Sequence, residues 1–387
     1  MNITIVGGGF GGVKAALELA KDATNAVTLI TDKPDFQYYP ALYGAATGRS
    51  HLESWVPLAK IFANKKNVSV QLDTIEKIDP EAKTLMSASG KSYAYETCIF
   101  ALGTVTTYFG IQGLESHTFG IKSAKEIETL KQHIYDDIVQ GQGVDKRYIV
   151  IGAGPTGVEL TAALGTYLKQ LSKDFNVKES NVHIELVEAA PRVLPRMSEA
   201  ASVIVTRRLK KLGVNVLTDK KVESAVEDSL MVSGEAMVSD TVIWTSGVAN
   251  HPFYKANEAH FEFAPNGRIV VDQYMQTKNG VYVIGDNAAT PFTGLAQTAL
   301  HDGIFVARHL RRVAANQTLS PYKAVVPPVV VPVGERWAIF EWKKIRLSGW
   351  VASLIRRAAD FIGYSDILPI GQALGIWRPR REKHEII

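Results

Sequence analysis

Twice along the chain a short apolar run ends on glycines spaced Gly-x-Gly-x-x-Gly and passes directly into a helical pattern. Residues 3–12 read I-T-I-V-G-G-G-F-G-G and lead into a helix over 13–19; residues 148–157 read Y-I-V-I-G-A-G-P-T-G and lead into a helix over 158–164. Gly7 and Gly152 suit a tight turn out of the strand. Gly9 and Gly154 leave room for a diphosphate against the backbone, and Gly12 and Gly157 let each helix close on its strand. Free N–H groups and the positive dipole end at each helix start then favour phosphate. One such triplet carries little weight. Two in the same setting, about 145 residues apart, predict two dinucleotide sites.

The acid expected to bind each adenosine ribose lies at the end of the following strand. Asp32 ends T-L-I-T-D, 20 residues after Gly12, and Glu188 ends H-I-E-L-V-E, 31 residues after Gly157. A helix and loop over 165–178 fill the longer gap. An exposed acid ending a strand is the plainer alternative at each position. A carboxylate at Glu188 repels a 2′-phosphate and favours NADH over NADPH, whereas Arg192 close by works against that preference.

Around these turns, apolar β-branched runs alternate with helical patterns. The runs at 3–6, 26–30, 68–72 and 98–102 form one set, and those at 148–151, 183–187, 214–217 and 242–244 a second; 269–271 and 281–284 come later. Continuous apolar strands separated by helices indicate parallel sheets covered on both faces, an α/β class. The chain begins without the basic and apolar regions of a signal peptide. It nowhere runs 18 apolar residues together, so no transmembrane helix is expected and the body reads as cytoplasmic.

Residues 281–288 deliver Gly285-Asp286 from a strand, and resemble the segment that holds the ribityl chain of FAD in two-domain flavoproteins. Residues 99–104, with Gly103, resemble the partner crossover of that family. Several further segments resemble type II NADH dehydrogenases, the single-subunit, non-proton-pumping NADH:quinone oxidoreductases. Residues 154–160 (G-P-T-G-V-E-L) are similar to their NADH loop with its glutamate, Glu159, and residues 244–248 (W-T-S-G-V) to their W-x-x-G-V segment with Gly247. Residues 36–43 and 46–48 resemble the loop after their second strand. Residues 296–301 (A-Q-T-A-L-H) resemble their quinone-site segment, with His301 standing where that family has glutamine.

The resemblance implies two Rossmann-like domains, the second inserted in the first. Residues 1–112 and 265–320 would bind FAD, 113–264 NADH, and 321–387 would serve membrane association or dimerisation. It also implies catalytic roles for Glu159 near the nicotinamide and for Gln297 and His301 near a quinone, with Ala296 and Gln297 beside the flavin. Glu159 could instead be an acid favouring the helix dipole, and Gln297 and His301 could cap or pack a helix. No metal-ligand cluster stands out. A single cysteine, Cys98, excludes a dithiol beside the flavin. Inside an apolar strand it reads as core.

The net charge is +4, from 43 Lys and Arg against 39 Asp and Glu, too small to point to nucleic acid. It is unevenly spread: residues 336–387 hold ten basic and five acidic residues. After a Pro-rich linker (Pro327, Pro328, Pro332) comes a hairpin through Trp342. Then Trp350, Val351, Leu354, Ile355, Ala358, Phe361 and Ile362 fall at helical spacing on one face, with Lys343, Lys344, Arg346, Arg356 and Arg357 flanking or opposing it. A basic helix with Trp anchors suits an anionic membrane interface, making the protein a peripheral membrane protein of the cytoplasmic face through residues 345–387. The same face also suits packing on the body or a homodimer contact. Two other functions fit the motifs: a reductase serving a soluble ferredoxin-like acceptor, and a non-catalytic flavin or NADH sensor.

Overall fold

The structure, a computed structural model, describes residues 1–140, 146–177 and 182–378. Lys178 and the tail residues 379–387 lie outside the described residues. β1 (Asn2–Val6) turns into α1 (Phe10–Leu19), and β2 (Ala26–Thr31), β3 (Val68–Leu72) and β4 (Thr97–Phe100) follow. A second run comprises β5 (Lys146–Ile151), α2 (Pro155–Asp174), β6 (Val182–Val187), β7 (Val214–Leu217) and β8 (Thr241–Trp244). The chain then adds β9 (Tyr282–Val283) and α3 (Ala296–Ala314).

These strands form two separate parallel sheets, ordered β9-β4-β1-β2-β3 and β7-β6-β5-β8. The glycine-bearing strand is interior in each: β1 lies between β4 and β2, and β5 between β8 and β6. Interior parallel strands are covered on both faces, which is why Ile3, Ile5, Tyr148, Ile149 and Val150 are all fully buried. A two-stranded antiparallel link, Thr104–Thr106 with Val248–Asn250, joins the two halves. The run at 269–271 is not a strand. Ile269 makes single bridges to Phe263 and Ala288, because its partners are a turn and the loop after Gly285-Asp286.

α3 crosses α1 at unusually close range. A Cβ on Gly303 would lie 2.6 Å from the Gly11 carbonyl oxygen and 3.0 Å from the Ala15 nitrogen. Only a bare α-carbon permits that approach, and it brings the start of α3 beside the first glycine turn.

The tail is not a detachable extension. β10 (Val329–Pro332), β11 (Ala338–Trp342) and β12 (Ile345–Gly349) form an antiparallel sheet, followed by α4 (Trp350–Ser365) and α5 (Ile370–Trp377). Pro332 is therefore strand rather than linker, tolerated because β10 is an edge. Val331 and Ile339 pack into the core around β5, while Tyr364, Ile367 and Leu368 pack into the core around β1.

Candidate functional site

The two glycine turns share one geometry. Gly7 has φ +114° and Gly152 φ +101°, conformations that side chains rarely adopt. A Cβ on Gly12 would lie 1.9 Å from the Gly7 oxygen, and one on Gly157 1.8 Å from the Gly152 oxygen, so strand and helix are in direct contact. At Gly9 and Gly154 a Cβ would meet nothing within 4 Å. Both are helix N-caps whose helices receive no side-chain cap, leaving the first N–H groups of α1 and α2 aimed into open space. This cradle fits a diphosphate at each turn.

Asp32 follows β2 as an exposed acid with no hydrogen-bond partner among the described residues, available to ribose hydroxyls. Glu188 instead accepts from the Ala153 amide (2.6 Å) and the Ala190 amide (2.8 Å), so its carboxylate is held at the second turn. Arg192 points elsewhere. Its guanidinium donates to the carbonyls of Leu194, Pro195 and Met197 and to Ser202 Oγ, so it stiffens the loop after Glu188 and is spent as a partner for a 2′-phosphate.

Gly103 and Asn287 exchange two hydrogen bonds, 2.8 and 2.6 Å, which lock the loop after β4 to the loop after β9. Asp286 is half-buried there. Burial raises its pKa while Arg268, Thr104 and the Gly294 amide oppose that rise. The Lys122 ammonium is sealed from solvent with no hydrogen-bond partner, and burial pulls its pKa down against the pull of Glu126 and Asp286. An unpartnered buried cation in the neighbourhood of the Gly285-Asp286 turn fits an anionic group such as the diphosphate of FAD. Gly247, in the loop after β8, also has positive φ (+76°), and a Cβ there would lie 2.5 Å from the Thr107 oxygen.

Glu159 lies in the second turn of α2, not the first, so the helix-dipole alternative does not describe it. It is buried and paired with Arg356 of α4, Nη1 to Oε1 3.0 Å. The same guanidinium donates to both oxygens of Asp360 (3.1 and 3.0 Å) and to the Pro40 carbonyl (2.6 Å). Asp360 in turn accepts from Tyr38 Oη at 3.3 Å. Arg356 thus faces the interior, which corrects its assignment to the lipid-facing basic set. Burial pushes Glu159 up to about 7, with Arg356 restraining the rise, so its carboxyl can exchange a proton near neutrality.

Ala296 opens α3, with Gln297 exposed beside it. His301 lies one turn further, its Nε2 3.1 Å from the Lys323 carbonyl oxygen and its ring 5.5 Å from that of Tyr322. Among the described residues no hydrogen bond joins Gln297 or His301 to Glu159. Asp302, which the sequence reading passed over, is fully buried, accepting from the Gly285 amide (2.9 Å) and Tyr322 Oη (2.7 Å), and burial pushes it up to about 6. It ties α3 to the Gly285 turn. Cys98 is sealed in β4, and burial pushes its thiol up, so it is a poor nucleophile.

The family model described as pyridine nucleotide-disulphide oxidoreductase matches residues 1–303. Proteins named type II NADH:quinone oxidoreductase are similar along nearly the whole chain. That of Staphylococcus epidermidis is 27% identical, covering 92% of this chain and 94% of its own. That of Staphylococcus aureus is 27% identical, covering 96% and 97%. Among solved structures, NDH2 from Plasmodium falciparum in complex with NADH superposes with a TM-score of 0.84 at 18% identity, covering 97% of this chain and 96% of that one. The sulfide:quinone oxidoreductase of Aquifex aeolicus does so with a TM-score of 0.78 at 18% identity, covering 93% and 89%.

Two predictions follow from the site's geometry. Gly157→Ala should lower stability by about 3 kcal/mol in denaturant titrations, because its methyl group meets backbone. Gly154→Ala should stay within about 0.5 kcal/mol of the parent yet weaken NADH binding roughly tenfold, because its methyl group occupies the ligand's space. Equal stability losses in the two would refute the distinction. For Glu159, a carboxyl raised on folding binds its proton more tightly in the folded state, so stability falls as pH rises from about 4.5 to 7. Glu159→Gln should remove about 2 kcal/mol of that fall, read as thermal midpoints against pH. A parent whose excess slope over the variant is zero or positive would refute it.

Proposed function

This chain belongs to the pyridine nucleotide-disulphide oxidoreductase family, and from that membership we propose that it is a type II NADH:quinone oxidoreductase that does not pump protons. One observation carries the reading: two glycine turns of matching geometry in a chain whose lone cysteine is sealed in a strand. Two dinucleotide sites call for an electron path between them and an exit from the second. The dithiol exit is closed. The names of the Staphylococcus relatives, which match over nine-tenths of the chain, support a quinone as that exit.

The chemistry that bound FAD supplies is two-electron exchange, taking a hydride from NADH and returning electrons to a quinone. The protein's residues hold and orient. Gly7, Gly9, Gly12 and Asp32 with Gly103, Gly285, Asp286 and Lys122 hold FAD, in a domain of residues 1–112 and 265–320. Gly152, Gly154, Gly157, Glu188 and Gly247 hold NADH in residues 113–264, and the tied-down Arg192 supports the preference over NADPH. Glu159 orients the nicotinamide and exchanges a proton at its carboxyl, with Arg356 restraining its pKa. Gln297 donates its amide to a quinone carbonyl, and His301, one turn along α3, is the nearest group able to relay a proton.

The tail supports peripheral attachment to an anionic, cytoplasm-facing membrane surface. Trp350, Leu354, Ile362 and Ile370 are exposed, with Lys343, Lys344 and Arg357 around them. No helix among the described residues is long and apolar enough to cross a membrane.

In anaerobic mixing, NADH should bleach the flavin absorbance and a short-chain quinone should restore it. Absence of bleaching would remove the donor, and bleaching without recovery would remove the quinone. Gln297→Ala and His301→Ala should slow recovery at least tenfold while leaving bleaching nearly intact; equal losses in both phases would mark a structural role. Deleting the tail would strip Glu159 of Arg356, so the membrane reading is tested on the outward face alone. Leu354→Glu with Ile362→Glu should abolish sedimentation with anionic vesicles while preserving the bleaching rate. Sedimentation at the parent's level would remove the attachment reading.

A further inference from the structure

A cavity of about 500 Å³ opens where the two halves of the chain meet, lined by Asp286, Thr104, Asn250 and two arginines, Arg196 and Arg268. The arginines come from opposite sides. Arg196 belongs to the loop after β6, and Arg268 to a turn closed by Ala264 N–H to the Arg268 oxygen (2.7 Å) and Gly267 N–H to the Ala264 oxygen (2.8 Å). A Cβ on Gly294 would stand 3.6 Å from an η-nitrogen of each. Neither guanidinium donates a hydrogen bond or joins an ion pair among the described residues. Burial lowers the pKa of Arg268, Asp286 opposes that, and Arg196 adds to it. Two guanidiniums share this cavity with Asp286, the one acid among its lining residues, an arrangement that an anion would complete.

The carrier of Arg196 is fixed in advance. Arg192 staples the loop through the carbonyls on both sides of Arg196, those of Pro195 (2.7 Å) and Met197 (2.8 Å). The loop is tied to the second glycine turn by the Leu194 amide on the Ala153 oxygen, 2.8 Å. Arg268 is held through the Asn250 amide on the Gly267 oxygen, 3.0 Å. Planar forks on stiff supports match phosphate oxygens two at a time.

We propose that Arg196 and Arg268 form a phosphate clamp that grips the diphosphate of NADH across the boundary between the two halves. This rests on the reading that the second glycine turn binds NADH. The α2 N-terminus would supply N–H groups to the diphosphate, and the loop bearing Arg196, joined to that turn through Leu194 and Ala153, would bring the clamp to it. Arginines from both halves draw them onto the same ligand, so NADH binding and closure of the halves are one event.

The test uses FAD-loaded protein titrated calorimetrically with ADP-ribose, which carries the diphosphate without the nicotinamide. Arg196→Gln and Arg268→Gln should each weaken ADP-ribose about tenfold, with a shallower salt dependence, while FAD content and far-ultraviolet dichroism stay at the parent's values. Neither side chain has a protein partner, so the fold is expected to survive. Parent-like binding by both variants would overturn the clamp alone. Loss of FAD from Arg268→Gln with ADP-ribose affinity unchanged would assign the site to the FAD diphosphate and overturn it. A parent protein that fails to bind ADP-ribose would overturn the NADH reading, and the clamp with it.

Discussion

The guanidinium of Arg356 ties the tail to both halves of the chain. It is buried, and its N–H groups reach Glu159 on α2, the Pro40 carbonyl after β2, Asp360 on its own helix and the Val330 carbonyl of the tail sheet. A buried guanidinium is costly unless its donors find partners. This one spends them on both dinucleotide halves and on the tail at once. Asp360 and Glu159 more than offset the burial that works against the charge. The arrangement makes the C-terminal helix part of the site. Whatever orients α4 against the body also sets the field at Glu159.

The parts of this architecture that were legible in the sequence are those dictated by local backbone sterics. Gly12 and Gly157 admit no β-carbon because the preceding turn's oxygen stands in the way, and Gly9 and Gly154 face open space. Such constraints repeat whenever the same turn is built, so two copies of one spacing disclosed two copies of one geometry. The interior strands were legible for a related reason. Burial on both faces makes the inner residues of β1 and β5 apolar almost throughout, Ile3, Ile5 and Val6 in one and Ile149, Val150 and Ile151 in the other. The run at 269–271 met the same rule by composition, yet its neighbours are loops, and a strand exists only where a partner does.

What stayed hidden depended on contacts distant in sequence. Arg356 and Arg357 are adjacent arginines on one amphipathic helix, and one turns inward onto Glu159, 197 residues away, while the other lies over the Trp377 ring at the surface. Nothing in the local pattern separates them. Asp302 follows His301 directly and was masked by it, although the buried aspartate ties α3 to the Gly285 turn. Gly303 carries no local signal either; its bare α-carbon admits the backbone of α1.

The same inward turn revises the electrostatics of the tail. Its excess of basic residues suggested broad attraction to anionic lipid. Arg356 is cancelled by Glu159 and Asp360, and Arg346 is engaged by Glu341 at 3.0 Å and by Ser198. Lys343, Lys344 and Arg357 are exposed. On the proposed attachment each basic residue near a charged bilayer would contribute about 1 kcal/mol, so these three alone would give about 3 kcal/mol. On the same proposal apolar burial would add to this, and Trp350, Leu354, Ile362 and Ile370 have area to contribute, each 54% exposed or more. Such attachment would engage the outward face of α4 and leave its inward face free to keep Arg356 on Glu159.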